Sequence, residues 1–225
     1  MSVVDDRPSR SVPLVAGEGF AGGTTPATPA RGRGAFVVVV GPDGVGKTTV
    51  ARSILARYPG PTAYFHFLPS LQRRLDEGPP LLSDGPPPKT SSVGSRPMGW
   101  FRLLRNFARS WAAYLVRIRP ALRRGCLVVG DRWLYGYLGQ PYALKFYGPP
   151  GLASAIVRAL PRPDLVVNLS APADVIRARK QELTVAQIDA ELHSWSRLPV
   201  RRVRTLDAVA PPSVIARQVF EALES

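Results

Sequence analysis

The segment that most restricts what this chain can become is an apolar run at residues 35–40. Four of its six residues are valine, and it leads straight into Gly41-Pro42-Asp43-Gly44-Val45-Gly46-Lys47-Thr48. Consecutive β-branched residues favour an extended backbone. A short unbroken apolar run is read as a strand buried on both faces. Residues 48–58 then place Val50, Ile54 and Leu55 on one side of a helix. The order strand, glycine-rich turn, helix has a chemical consequence. The glycines let the backbone curl so that its N–H groups point inward. The helix then presents its positive end to the same point. A glycine-rich hairpin with an incidental lysine is the alternative, and it does not explain the helix that follows.

The eight residues satisfy G-x-x-x-x-G-K-[ST], the pattern of a P-loop. Gly41, Asp43, Gly44, Val45, Gly46, Lys47, Thr48 and Thr49 are the expected nucleotide-binding residues. Lys47 would reach the β- and γ-phosphates, and the Thr48 hydroxyl would complete a magnesium shell. The implied cofactors are ATP and Mg2+. A P-loop also needs an acid beside the metal. The apolar run Cys126-Leu127-Val128-Val129-Gly130 ends in Asp131, at the strand end where open α/β sheets bind ligands. Asp131 is therefore the second expected metal residue, a turn or helix-capping Asp being the alternative.

Further strands are expected at 64–68, 126–130, 164–169 and 203–206, and helices at 100–118, 152–160, 173–180, 185–196 and 213–223. Strands alternating with helices predict an α/β fold. It is a three-layer P-loop NTPase architecture, with a five-stranded parallel sheet and helices on both faces. Residues 1–34 lack periodicity and are rich in Pro, Gly, Ser and Thr, so they read as a disordered tail ahead of a 35–225 domain. Within it, 69–97 reads as a mobile Pro/Gly-rich insertion. In the 100–118 helix, Phe101, Leu104, Ala108, Trp111, Leu115 and Ile118 form the expected buried stripe. With Trp100, its aromatic residues read as core or, alternatively, as a base-stacking platform.

The net charge is +14 over 225 residues, which suits an anionic partner. Only four of the thirty basic residues are lysine, and such an arginine bias also fits coding in a GC-rich genome. The chain carries one cysteine, Cys126, so no intrachain disulfide is possible. With no apolar leader and no run of about 18 apolar residues, the expectation is a cytoplasmic protein with no membrane partner.

A guanine-reading Asn-Lys-x-Asp is missing; the nearest place reads Asn168-Leu169-Ser170-Ala171. The residue after Asp131 is Arg132, where water-activating ATPases carry Glu. Both facts favour a kinase acting on a small-molecule acceptor over GTPases and motors. Here the chain resembles the thymidylate kinase family, over about residues 35–223. The resemblance rests on the cradle with Asp43 at its third position and on Asp131-Arg132-Trp133, similar to an Asp-Arg-Tyr signature. It rests also on Pro163-Asp164-Leu165-Val166-Val167-Asn168-Leu169, with Pro172 and the helix carrying Arg177, Arg179 and Lys180, and on Leu206-Asp207-Ala208 before a last helix.

The resemblance implies ATP-dependent phosphoryl transfer, with Lys47, Asp43, Arg132 and Arg177 as the catalytic residues. Asp43 would orient the acceptor, Arg132 would hold it, and at most two of Arg177, Arg179 and Lys180 would close over the phosphates, Arg177 and Lys180 sharing one helix face, unless that face is merely solvated. Asp207 and Ala208 would border adenine, or form a plain turn. His66, Tyr135 and Gln140 are candidate acceptor contacts, His66 being alternatively a strand-end residue bonded to backbone. The departures lie on the acceptor side. His66-Phe67-Leu68-Pro69 stands where the family carries Arg-Glu-Pro-Gly, so thymidylate itself is expected to be a poor acceptor. A small-molecule phosphate acceptor is the expected partner, nucleic acid is not, and a second copy of the chain is a further candidate. The competing reading is a nucleotide-dependent binding or regulatory protein without an acceptor.

Overall fold

A computed structural model describes residues 33–69, 96–141, 143–146, 148–181 and 183–225. The expected tail, except 33–34, and nearly all of the 69–97 insertion lie outside these residues. Five strands form one sheet: β1 (Phe36–Val40), β2 (Thr62–His66), β3 (Leu127–Asp131), β4 (Leu165–Ser170) and β5 (Val203–Asp207). Their spatial order is β2-β3-β1-β4-β5 and every pairing is parallel. The three-layer α/β architecture expected from the sequence is the one observed.

The period of two in β1 explains both layers. Val37 and Val39 face one core with α1 (Lys47–Arg57) and α8 (Pro212–Glu224). Phe36, Val38 and Val40 face the other, built from Leu103, Ile118, Trp133, Tyr137, Val157 and Trp195. The sequence is apolar at every β1 position because helices cover both sides. The domain packs from Gly34 onward. Gly34 N–H donates to Leu122 O at 2.7 Å, and an added Cβ there would meet Cys126 O at 2.0 Å.

Two expectations about elements need correction. The expected second strand, 64–68, begins earlier and ends at His66, because Phe67 turns the chain at φ 57°. The long helix is α2 (Arg96–Ala113), a π turn (Tyr114–Ile118) and α3 (Arg119–Arg123). Pro120 supplies no N–H and crowds the carbonyl four residues earlier, which accounts for the wider turn. The buried face of α2 is also not the expected stripe. Leu103, Asn106, Ser110 and Ala113 are buried, while Phe101, Leu104 and Leu115 are exposed, Phe101 by 63%. Small and polar residues let α2 approach the core closely, and Asn106 donates to the Tyr137 hydroxyl at 2.9 Å. Trp111 lies at the margin, its indole N–H bonded to Ala159 O at 3.1 Å.

The sequence reading passed over a 3-10 turn (Trp133–Tyr135) and α4 (Gly136–Gly139). The remaining helices are α5 (Pro150–Arg158), α6 (Ala173–Arg179) and α7 (Val185–Ser196). Among the described residues no helix is long and apolar enough to cross a membrane.

Candidate functional site

The cradle leaves the carboxyl end of β1, whose neighbours on either side are β3 and β4. Gly41, Gly44 and Gly46 take φ values of 140°, 85° and 103°. These lie in the region that other L-residues avoid, so the loop's shape demands glycine. Gly46 precedes α1, and the first helical bond runs from Val50 N–H to Gly46 O at 3.0 Å. The N–H groups of Lys47, Thr48 and Thr49 come before that bond and point out of the helix end. No acidic residue occupies the first turn. This is an anion site by construction.

Lys47 is buried, 6% exposed. Its ammonium donates to Gly41 O at 3.0 Å, Pro42 O at 2.6 Å and Asp43 Oδ1 at 3.5 Å. Burial, with the charge of Arg132, lowers its pKa to about 8, against the pull of Asp131 and Asp43. Asp43 also receives a hydrogen bond from Arg132. Burial opposes the Asp43 charge, but Arg132, Lys47 and Lys180 outweigh it and bring its pKa to about 2.

Asp131 ends β3 in register with Val39 and His66. It is 2% exposed. Its Oδ2 accepts from the Tyr64 hydroxyl at 3.4 Å and lies 3.2 Å from His66 Nδ1. The alternative of a turn or capping role is thereby replaced by a buried carboxylate on the sheet, and His66 is held by that side chain. Burial works against the Asp131 charge, yet His66, Lys47 and Arg132 hold its carboxyl below the usual range. Its other oxygen, Oδ1, is buried and has no hydrogen-bond partner. A buried unpaired carboxylate oxygen is costly, and a magnesium-bound water would satisfy it. Among the described residues no group of three or more His, Cys, Asp and Glu could hold a metal alone. Magnesium takes one or two protein groups together with phosphates and water. Thr48 and Asp131 thus fit as the protein's share.

The next two residues are strained. Arg132 and Trp133 have φ 62° and 44°, a costly pair held by its surroundings. Arg132 N–H donates to Val39 O at 2.8 Å. The Trp133 ring packs 4.6 Å from Phe36. The aromatic position of Asp131-Arg132-Trp133 is therefore an anchor in the core that aims the Arg132 guanidinium at Asp43.

The helix over the cradle differs from expectation. Arg177 and Arg179 are both exposed; the Arg179 guanidinium donates to Val45 O and Ala208 O, each at 3.3 Å. The helical spacing expected Arg177 to share a working face with Lys180. Instead α6 stops at Arg179 and Lys180 is extended at φ −148°, ψ 108°. Both Arg179 and Lys180 thereby turn toward the loop; a Cβ on Gly44 would meet Lys180 Cβ at 2.8 Å. Ala208 is buried and its N–H donates to Ser170 O at 2.8 Å. Asp207 is exposed and caps its own turn, accepting from Val209 N–H at 2.9 Å.

On the other side of Asp43 stands Glu191, which the sequence reading missed. It accepts from the Gln140 amide at 2.8 Å and from the Asp43 backbone N–H. Burial pushes its carboxyl up; the Gln140 and Asp43 hydrogen bonds pull it back, and the Asp43 charge adds to the rise. A signal was present: Ile188, Glu191 and Trp195 share one face of α7, and both neighbours are fully buried. Gln140 is therefore linked to Asp43 through Glu191. Tyr135 is not; its ring lines a separate cleft near Leu198.

The strand, cradle and helix, with a buried acid on the adjacent strand, define a P-loop α/β fold. Among solved structures, thymidylate kinase from Ehrlichia chaffeensis matches 85% of this chain and 100% of that chain at TM-score 0.52 and 14% identity. No family model and no curated protein matches the chain.

Proposed function

We propose that this chain is an ATP-dependent kinase, thymidylate kinase-like, that moves a terminal phosphoryl group to a small-molecule acceptor. The supporting observation is the Arg132–Asp43 contact beside the cradle. It sets a cation and a carboxylate where a second substrate would stand. The residue after the buried acid is thus a cation, not a carboxylate able to activate water.

In this reading the loop N–H groups and the start of α1 hold the triphosphate. Lys47, protonated at pH 7 with a pKa of about 8, offsets charge on the transferred group. Thr48 and the free Oδ1 of Asp131 would hold magnesium, which when bound supplies charge neutralisation and alignment. Arg179 ties Val45 to Ala208 along the expected adenine edge. Asp43, with a pKa of about 2, is too weak a base to remove a proton. Its role is to orient the acceptor oxygen. Phosphoryl transfer asks mainly for such positioning.

Thymidylate is expected to be a poor acceptor. His66-Phe67-Leu68-Pro69 stands where a phosphate-gripping arginine is expected, and Arg102, which would have to replace it, donates to Leu144 O at 3.1 Å. Glu191 adds a carboxylate beside Asp43, which disfavours a phosphate there. A coupled ADP assay over nucleoside monophosphates and sugar-type alcohols tests the proposal. Acceptor-dependent ADP release is expected, and ADP release that no acceptor stimulates would refute kinase function. An efficiency with thymidylate of about 10⁴ M⁻¹s⁻¹ or more would overturn the acceptor prediction alone.

A further inference from the structure

At the opposite end of the sheet from the cradle lies a cleft of about 430 Å³. Its walls come from the segments that lead into the amino-terminal ends of β4 and β5, and from the end of α5. Val157 and Leu198 supply apolar surface, and Tyr135 lies at its base. Three arginines, Arg158, Arg162 and Arg201, line it, and no acidic residue does. Among the described residues none of the three has a carboxylate or hydrogen-bond partner. The nearby Asp164 accepts from Phe36 N–H at 2.8 Å, so its carboxylate is engaged.

Tyr135 is the second observation. It is 4% exposed, and burial alone pushes its hydroxyl pKa upward, with no hydrogen bond contributing. Tyr135 lines the cleft, so its hydroxyl is a hydrogen-bonding group for a ligand held there. Three guanidiniums around one cleft repel each other until an anion joins them, and guanidinium forks match phosphate oxygens. The volume is that of a small-ligand site, apolar with a few converging polar groups.

We propose that this cleft binds an organic phosphate: a phosphate head held by Arg158, Arg162 and Arg201, on an aromatic or short aliphatic body against Val157, Leu198 and Tyr135. The site is separate from the nucleotide cradle, so the two fill independently. Phenyl phosphate is the probe, with inorganic phosphate as control, titrated calorimetrically into the full chain. Saturable binding below about 1 mM is expected, at least tenfold tighter than inorganic phosphate. The triple substitution Arg158→Ala, Arg162→Ala, Arg201→Ala should weaken it at least tenfold, and Tyr135→Phe severalfold. Saturating ATP with magnesium, and Lys47→Ala, should leave it unchanged. The arginines are exposed, so the fold should survive; Arg201→Ala alone gives a severalfold reading should the triple variant not fold. Absence of saturable binding would overturn the proposal, as would an unchanged affinity in the arginine variants. Competition by ATP would place the probe in the cradle and also overturn it. Equal binding of inorganic phosphate would mean an adventitious ion only.

Discussion

The two halves of the candidate site are built by different means. The nucleotide half is a contiguous loop. Residues 41–49 supply it with backbone N–H groups, and its shape follows from three glycines at positive φ. The acceptor half is an assembly of side chains. Asp43, His66, Arg132, Gln140 and Glu191 come from five separate segments and meet only because β2 and β3 lie in register and α7 packs on α4. A contiguous backbone site reads as a motif, whereas a scattered side-chain site leaves no local pattern. Specificity in the proposed kinase resides in the half that is harder to read.

The sharpest break in this comparison is Lys47→Ala. Turnover should fall about a thousandfold or more, with both substrates affected alike. Melting temperature should change little, because the buried ammonium is itself a burden on the fold. Acceptor-dependent ADP release by the variant at the wild-type rate would remove Lys47 from the site. Arg132→Ala comes next and should separate the halves. Loss of one charge-assisted contact to the acceptor is expected to cost about a hundredfold in acceptor kcat/KM. The KM for ATP should stay within about twofold of wild type. A change confined to ATP would move Arg132 to the other half.

Arg179→Ala should weaken ATP binding about tenfold, since it loses hydrogen bonds to Val45 O and Ala208 O. Arg177→Ala, on the exposed face of the same helix, should leave it unchanged. Equilibrium titration with a fluorescent ATP analogue separates the two, and a reversed order would show that α6 rearranges over the nucleotide.

The smallest effect is the pH dependence of stability. The folded-state pKa of Lys47, about 8, lies below the ordinary lysine value of about 10.4. The unfolded chain therefore binds more protons between those values, and stability rises with pH across that window. The tyrosines and Cys126 titrate in or near the same window, and the comparison with Lys47→Met subtracts them. The melting temperature of the wild type should gain on that of Lys47→Met from pH 8 to 10. A constant gap would mean that Lys47 titrates normally.

Much of the architecture was legible in the chain. Apolar runs marked β1, β3 and β4 because helices cover both faces of the sheet there, and a doubly buried strand has no polar face to blur its signal, whereas the edge strand β5 exposes Arg204 and Thr205. The α7 boundaries, Val185–Ser196, were legible as well, with Thr184 and Gln187 forming a capping box. The buried face of α2 was not. Its core side carries Asn106 and Ser110 while apolar Phe101 and Leu104 face outward, so hydrophobic periodicity selected the wrong side. Arg177 was favoured over Arg179 for a related reason: helical spacing assumes that the helix continues, and α6 ends one residue too soon.

The sequence by itself determined the cradle, because glycine at Gly41, Gly44 and Gly46, with Lys47 and Thr48 behind them, acts through local backbone geometry. It also determined Asp131, since a buried strand ending in Asp has one place to end in a parallel sheet. Only the tertiary structure decided that His66 and Tyr64 bind the Asp131 carboxylate, that Arg132 grips Asp43, and that Glu191 joins them from α7. It alone decided that Tyr135, three residues beyond Arg132, turns away to the far end of the sheet. Those outcomes depend on strand register and helix packing between residues up to 148 positions apart, Asp43 and Glu191 being the extreme. No window of local sequence contains such a distance.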